Sequence, residues 1–181
     1  MLPNPRRPPH SIFFKARQQL CAALGILNGA VASPDLVATE LDLFGDFFCD
    51  AASGDSIANA FTLIEFEDAK PYSVFSKLKK DKTLKTWSRR FEHGFSQLVD
   101  WAWRLSSESG SAAARRIFQN DEPSIHFLLI AGRDADLTRD DLNRMRWRAR
   151  NLALGGYKMD CFTFDGALMT LRRRLLYAAQ T

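Results

Sequence analysis

Hydrophobic positions recur at helical spacing in "IFFKARQQLCAALGIL", where Phe13, Leu20, Leu24 and Leu27 share a stripe, Ser11 can cap the start and Gly29 lies just beyond. This predicts a first helix. "SPDLVATELDLF" reads either way, because Ser33 and Pro34 suit a helix start while the later residues suit a strand. From Gly45 the period shortens. "GDFFCDAA" and "AFTLIEFE" are rich in aromatic and β-branched residues and flank the polar stretch "SGDSIAN", which predicts two antiparallel strands of a hairpin. A lysine-rich loop, "KPYSVFSKLKKDKTLKT", carries Lys70, Lys77, Lys79, Lys80, Lys82 and Lys85. Ser88 then opens a long helix through "RRFEHGFSQLVDWAWRL". A Gly/Ser/Ala linker at 107–114 leads to the apolar strand "IHFLLIAG". Thr138 and Asp141 bracket the start of a helix in "LTRDDLNRMRWRARNLAL". A strand, "YKMDCFTF", and a helix, "DGALMTLRRRLLYAA", with Asp165 as its expected N-cap, complete the series.

Composition narrows the class. At 181 residues, 46% hydrophobic and 12% aromatic, the chain can bury one sizeable core. The reading is a basic, proline-rich arm over residues 1–10 and a single domain over 11–181. Lys and Arg outnumber Asp and Glu by 25 to 21, for a net charge of +4, a mild bias toward polyanionic partners. Cys21, Cys49 and Cys161 are odd in number, widely spaced and without a CxxC pair, so neither a disulfide framework nor a zinc site is indicated. No apolar signal segment precedes the first helix and no stretch approaches a membrane span, which points to a soluble, cytoplasmic chain.

The chemistry of interest sits at the end of the second hairpin strand. In "TLIEFEDAKP", alternation sends Glu65 and Glu67 to one face and Phe66 to the other. If Ala52 pairs with Ala60 across the turn, Asp46 lies opposite Phe66, and a one-residue shift or bulge brings it level with Glu65 or Glu67. Three converging carboxylates repel one another, and a hard cation such as Mg²⁺ or Mn²⁺ relieves the repulsion. A strand end with both glutamates facing water accounts for the same pattern.

The longer text adds to this. "LFGDFFCDAA", "FTLIEFEDAKPYSVF", "WSRRFEHGFSQLVDWAW", "LLIAGRDADL" and "RMRWRAR", in this order, resemble the Shedu anti-phage defence family over about residues 40–178. The resemblance implies an α/β restriction-endonuclease-like PD-(D/E)xK core, a central mixed sheet flanked by helices, and DNA cleavage with Mg²⁺ or Mn²⁺. Asp46 matches the first aspartate of that motif and Glu65 the acidic residue of its triplet, whereas Glu67 stands where the motif has lysine. Glu67 would then be a further metal ligand or general base. Lys70 offers an ammonium from the strand end, although alternation points it away. A homo-oligomer is implied by the resemblance alone.

On the helix after the lysine loop, Phe91, Phe95, Leu98, Ala102 and Leu105 form the stripe expected to cover the sheet. Arg90, His93, Gln97, Asp100 and Arg104 form a polar stripe. The resemblance makes Gln97 the residue placed to hold metal-bound water, with His93 one turn earlier. Arg133 and the cluster Arg144, Arg146, Arg148 and Arg150 serve either phosphate contact or pairing with Asp134, Asp136, Asp140 or Asp141. The expected function is metal-dependent DNA phosphodiester hydrolysis in anti-phage defence, carried by Asp46, Glu65, Glu67 and Gln97. The alternative, which the missing triplet lysine favours, is an inactive nuclease-fold module that binds nucleic acid or regulates a partner.

Overall fold

The computed structural model describes residues 16–120, 122–152 and 154–180. The basic arm, Ser11 and Phe13 lie outside these residues. The elements, in chain order, are α1 (Gln18–Gly25), β1 (Leu36–Leu43), β2 (Phe47–Asp55), β3 (Ala60–Phe66), α2 (Arg89–Ser107), α3 (Ala112–Phe118), β4 (Ser124–Ile130), a 3-10 turn at Asp134–Asp136, α4 (Arg139–Asn151), β5 (Lys158–Phe162) and α5 (Phe164–Ala178). One mixed sheet follows the order β1-β2-β3-β4-β5. The first two pairings are antiparallel and the last two parallel.

Alternation along the strands divides the core into two layers. Phe61, Leu63, Phe127 and Leu129 join Phe91, Leu98 and Trp101 of α2, Phe118 of α3 and Met145 and Ala149 of α4. Ala51, Ile64, Phe66, Leu128 and Ile130 face the other way, toward Cys21 and Leu24 of α1 and Ala167 and Leu171 of α5. The apolar stripe expected of α2 is buried along its whole length, and Ser88 caps the helix by accepting from the Phe91 N–H. Thr138 and Asp141 form a reciprocal capping box on α4.

Several expectations are corrected. "SPDLVATELDLF" supplies strand β1, and the linker at 107–114 already contains the start of α3, capped by Ser111. Thr163, not Asp165, caps α5 by accepting from the Gly166 N–H, while the Asp165 carboxylate accepts from Arg133. The hairpin register differs most. Ser53, Gly54 and Asp55 stay in β2, so Asp55 pairs with Ala60 and Ala52 with Leu63. Relative to the expected pairing of Ala52 with Ala60, the strands slip by an odd number of residues, which exchanges the side chains that face one another.

Candidate active site

The corrected register determines which carboxylates meet. One step beyond the pair Ala51–Ile64 brings Asp50 level with Glu65. There β2 leaves the ladder. The Phe66 N–H donates to Asp50 Oδ2 at 2.9 Å, so a side chain takes the place of a backbone acceptor. On the other side of β2, Glu40 lies between the pairs Thr39–Ala51 and Leu41–Cys49, which sets it opposite Asp50. Its φ of 55° is in the left-handed region that side-chain-bearing residues seldom adopt. Glu40, Asp50 and Glu65 therefore stand in one row across three strands.

Glu65 and Glu67 are not a solvated strand end, for they are only 6% and 4% exposed. Glu65 follows Phe61 and Leu63 onto the face covered by α2. Burial, then the charges of Asp50 and Glu67, push its carboxyl well above the usual range, and all three influences act in the same direction. The Cys49 thiol is pushed up as well, by burial first and then by Glu65 and Asp50.

Glu67 is fixed by its backbone and its side chain. Its N–H donates to the Ile130 carbonyl, and its Oε1 lies 2.8 Å from His93 Nδ1 on α2. Because a carboxylate accepts, Nδ1 carries the proton in this contact. The side chain of His93 is 64% exposed, so the opposite ring edge, with Nε2, faces solvent. Helix and strand come this close because residue 94 is glycine: a Cβ there would stand 2.8 Å from both Glu67 Cγ and Leu129 Cδ1. One turn further along α2, Gln97 Oε1 is buried and accepts no hydrogen bond from the described residues.

Asp46 stands elsewhere. It lies in the turn between β1 and β2, exposed, with Oδ2 2.9 Å from Arg104 Nε. The two are near enough to attract by charge, although the N–H is not directed at the carboxylate. Arg104 is three helical turns beyond His93, about 16 Å along the axis, so α2 holds Glu67 and Asp46 at different points of its length. Lys70 is exposed and pairs with Asp68 at 3.2 Å. Arg133 forms a fork with Asp165. A cavity of about 470 Å³ opens beside the edge strand β5, lined by His126, Arg150, Tyr157 and Asp160 among others, and Glu65 is not part of its wall.

The carboxylates offer an all-oxygen donor set, the chemistry that hard divalent cations prefer. Among the described residues, no three His, Cys, Asp or Glu side chains are already gathered closely enough to hold an ion. The site fits such a cation in donor type, not as a closed cage.

The family model described as "Shedu protein SduA, C-terminal" matches residues 11–168. The chain belongs to the Shedu family. Membership points to anti-phage defence as the biological setting of this Shedu domain. No curated protein matches the chain individually. No helix among the described residues is long and apolar enough to cross a membrane.

Asp50 and Glu40 are the site residues that sequence reasoning missed. Asp50 was visible inside "FFCDAA", and only the length of the turn after it decides whether it or Asp46 meets Glu65.

Proposed function

We propose that this Shedu domain is a metal-dependent nuclease that hydrolyses DNA phosphodiester bonds in anti-phage defence, on a restriction-endonuclease-like PD-(D/E)xK core. The observation that carries the reading is the meeting of Asp50 with the buried Glu65 where β2 and β3 diverge. A buried carboxylate with carboxylate neighbours is costly to maintain, and sites that bind Mg²⁺ or Mn²⁺ use that cost.

Asp50 and Glu65 would hold the ion, with Glu67 at the rim. When bound, it supplies positive charge for the phosphate oxygens and acidifies a water. The protein's own groups do the rest. Gln97 Oε1 offers an acceptor that orients the attacking water. Glu67, in the place of the motif's lysine, fixes His93 through Nδ1 and leaves Nε2 to receive the proton that the water loses. Glu67 is thus a positioning residue for His93 and brings a fourth residue type to a site whose lysine is missing.

The alternative is an inactive nucleic-acid-binding module. It is supported by Glu67 at the lysine position and by the absence of a closed three-ligand cluster among the described residues. Incubating the protein with supercoiled, nicked and linear DNA, with and without Mn²⁺ or Mg²⁺, tests both readings. Metal-dependent cleavage supports the nuclease; binding without cleavage of any form supports the alternative.

A further inference from the structure

The loop between β3 and α2 has a fixed neck and a basic tip. Phe75 and Trp87 form an antiparallel bridge, and the Ser76 N–H donates to the Thr86 carbonyl at 2.9 Å, closing the loop at its base. The Trp87 ring stacks between Phe75 and Phe91, with centroids 4.4 and 4.8 Å away. Helix α4 locks this neck from the side. Arg144 lies over Phe75 and Trp87 at 5.0 Å and donates to the Lys85 carbonyl, and Lys85 Nζ pairs with Asp141 at 2.6 Å. Arg148 lies over Trp87 at 4.7 Å and forks onto Glu92. These two arginines, expected to meet either phosphate or nearby aspartates, are committed to holding the loop.

The tip beyond the neck carries Lys77, Lys79, Lys80 and Lys82, all exposed. Among the described residues, Lys77, Lys79 and Lys80 have no carboxylate partner, and Lys82 has only its exposed neighbour Asp81 at 3.9 Å. The neck is anchored at the end of the sheet that bears the carboxylates: Ser88 donates to the Ser73 carbonyl, and Val74 packs on Gly132 just after β4. His93, which touches Glu67, lies on the second turn of the helix that this loop opens. Lysines mostly without carboxylate partners among the described residues are thereby held on a braced neck at the end of the sheet that bears the carboxylates.

We propose that the tip of this loop, through Lys77, Lys79, Lys80 and Lys82, grips the phosphate backbone of duplex DNA and presents it to the acidic site. The proposal rests on the nuclease reading, because the carboxylates alone would repel the backbone that they are meant to cut. Flexible lysines on an exposed tip read charge rather than base identity, so the contact is independent of sequence.

Binding of a fluorescent duplex in EDTA, where no metal supports cleavage, separates this contact from catalysis. Each neutralised phosphate adds about 0.9 to the slope of log affinity against log salt, so replacing the four lysines by alanine, which frees three or more phosphates, lowers the slope by about 3. Between 50 and 200 mM salt, wild-type affinity then falls roughly 40-fold more than that of the variant. Arg172→Ala, Arg173→Ala and Arg174→Ala combined, on α5, remove similar charge and leave the slope within about 1 of wild type. An unchanged slope in the lysine variant, with wild type still binding, overturns the loop contact alone. An equal loss of slope in the α5 variant also overturns it, since the effect is then one of net charge. Tighter lysine-dependent binding of the matching RNA duplex overturns DNA as the occupant. Failure of wild type to bind any duplex in EDTA overturns the loop contact, whereas the nuclease reading falls only if the protein also cleaves no DNA in Mn²⁺ or Mg²⁺.

Discussion

Replacing Glu65 with glutamine removes the charge at the centre of the site and keeps its shape. In the metal-free protein this should be stabilising, with a size that depends on pH in a determined direction. An uncompensated buried charge costs about 3 kcal/mol or more, and an imperfectly bonded buried amide costs about 1 kcal/mol, leaving a net gain of about 2 kcal/mol. For 181 residues, this raises the melting temperature by roughly 4 to 8 °C. The folded state holds the Glu65 proton more tightly than the unfolded chain, whose ordinary value is 4.5. The favourable contribution of the protonated carboxyl is therefore complete below pH 4.5 and is lost as pH rises through the elevated folded value. The difference between Glu65→Gln and wild type should be small at pH 5 and should widen toward pH 8, ceasing to grow above that folded value. Mn²⁺ at about 100 times its dissociation constant should raise the wild-type melting temperature by about 5 to 10 °C and leave Glu65→Gln nearly unmoved. Thermal melts by circular dichroism at both pH values, with and without Mn²⁺, measure all of this. A variant less stable than wild type at pH 8, or a difference independent of pH, would refute the reasoning.

Gly94→Ala should lower the melting temperature by roughly 2 to 10 °C and impair cleavage, because the added methyl meets Glu67 and Leu129 at 2.8 Å in a packed layer, at a cost of about 1 to 3 kcal/mol; thermal melts and a nicking assay check both. His93→Ala should reduce the cleavage rate by about 10²- to 10⁴-fold without changing DNA affinity, while Glu67→Gln, which keeps an acceptor for Nδ1, should cost less than Glu67→Ala. Single-turnover rates at saturating enzyme measure this, and equal rates for the two Glu67 variants would contradict the positioning role. Arg148→Ala should destabilise by about 2 to 3 kcal/mol in urea unfolding, since it removes the fork to Glu92 and the cation–π stacking on Trp87 and Phe95.

Much of this fold was legible because local rules and tertiary packing agree. Ser88 and the Thr138–Asp141 pair are strong caps with a buried stripe or layer behind them, and both helices begin where those residues stand. Elsewhere two local signals compete. Thr163 and Asp165 are both good caps two residues apart, and the choice depends on Arg133, which arrives from the end of β4 and takes the Asp165 carboxylate. Ser53 and Gly54 look like turn residues. In the fold they stay in β2 opposite Thr62 and Phe61, and Gly54 leaves space for the Phe61 ring where a Cβ would approach to 2.6 Å. That cross-strand contact fits the observed register, and the register decides that Asp50 rather than Asp46 meets Glu65. Alternation puts Glu65 and Glu67 on one face of β3 and the helical period puts His93 and Gln97 in one polar stripe of α2, from which the family resemblance picks out Glu65 and Gln97. The contact of His93 with Glu67 was not legible, since it depends on the close approach of α2 to Glu67 at Gly94.

Side-by-side cleavage of supercoiled DNA by wild type, Asp50→Ala and Asp46→Ala, in Mn²⁺ and under conditions where all three are folded by circular dichroism, tests the central claim most directly. A site built on Asp50 and Glu65 predicts metal-dependent cleavage by wild type, its loss in Asp50→Ala and its survival in Asp46→Ala, because the Asp46 side chain lies against Arg104 near the far end of α2. Cleavage retained by Asp50→Ala, or abolished by Asp46→Ala alone, would contradict it.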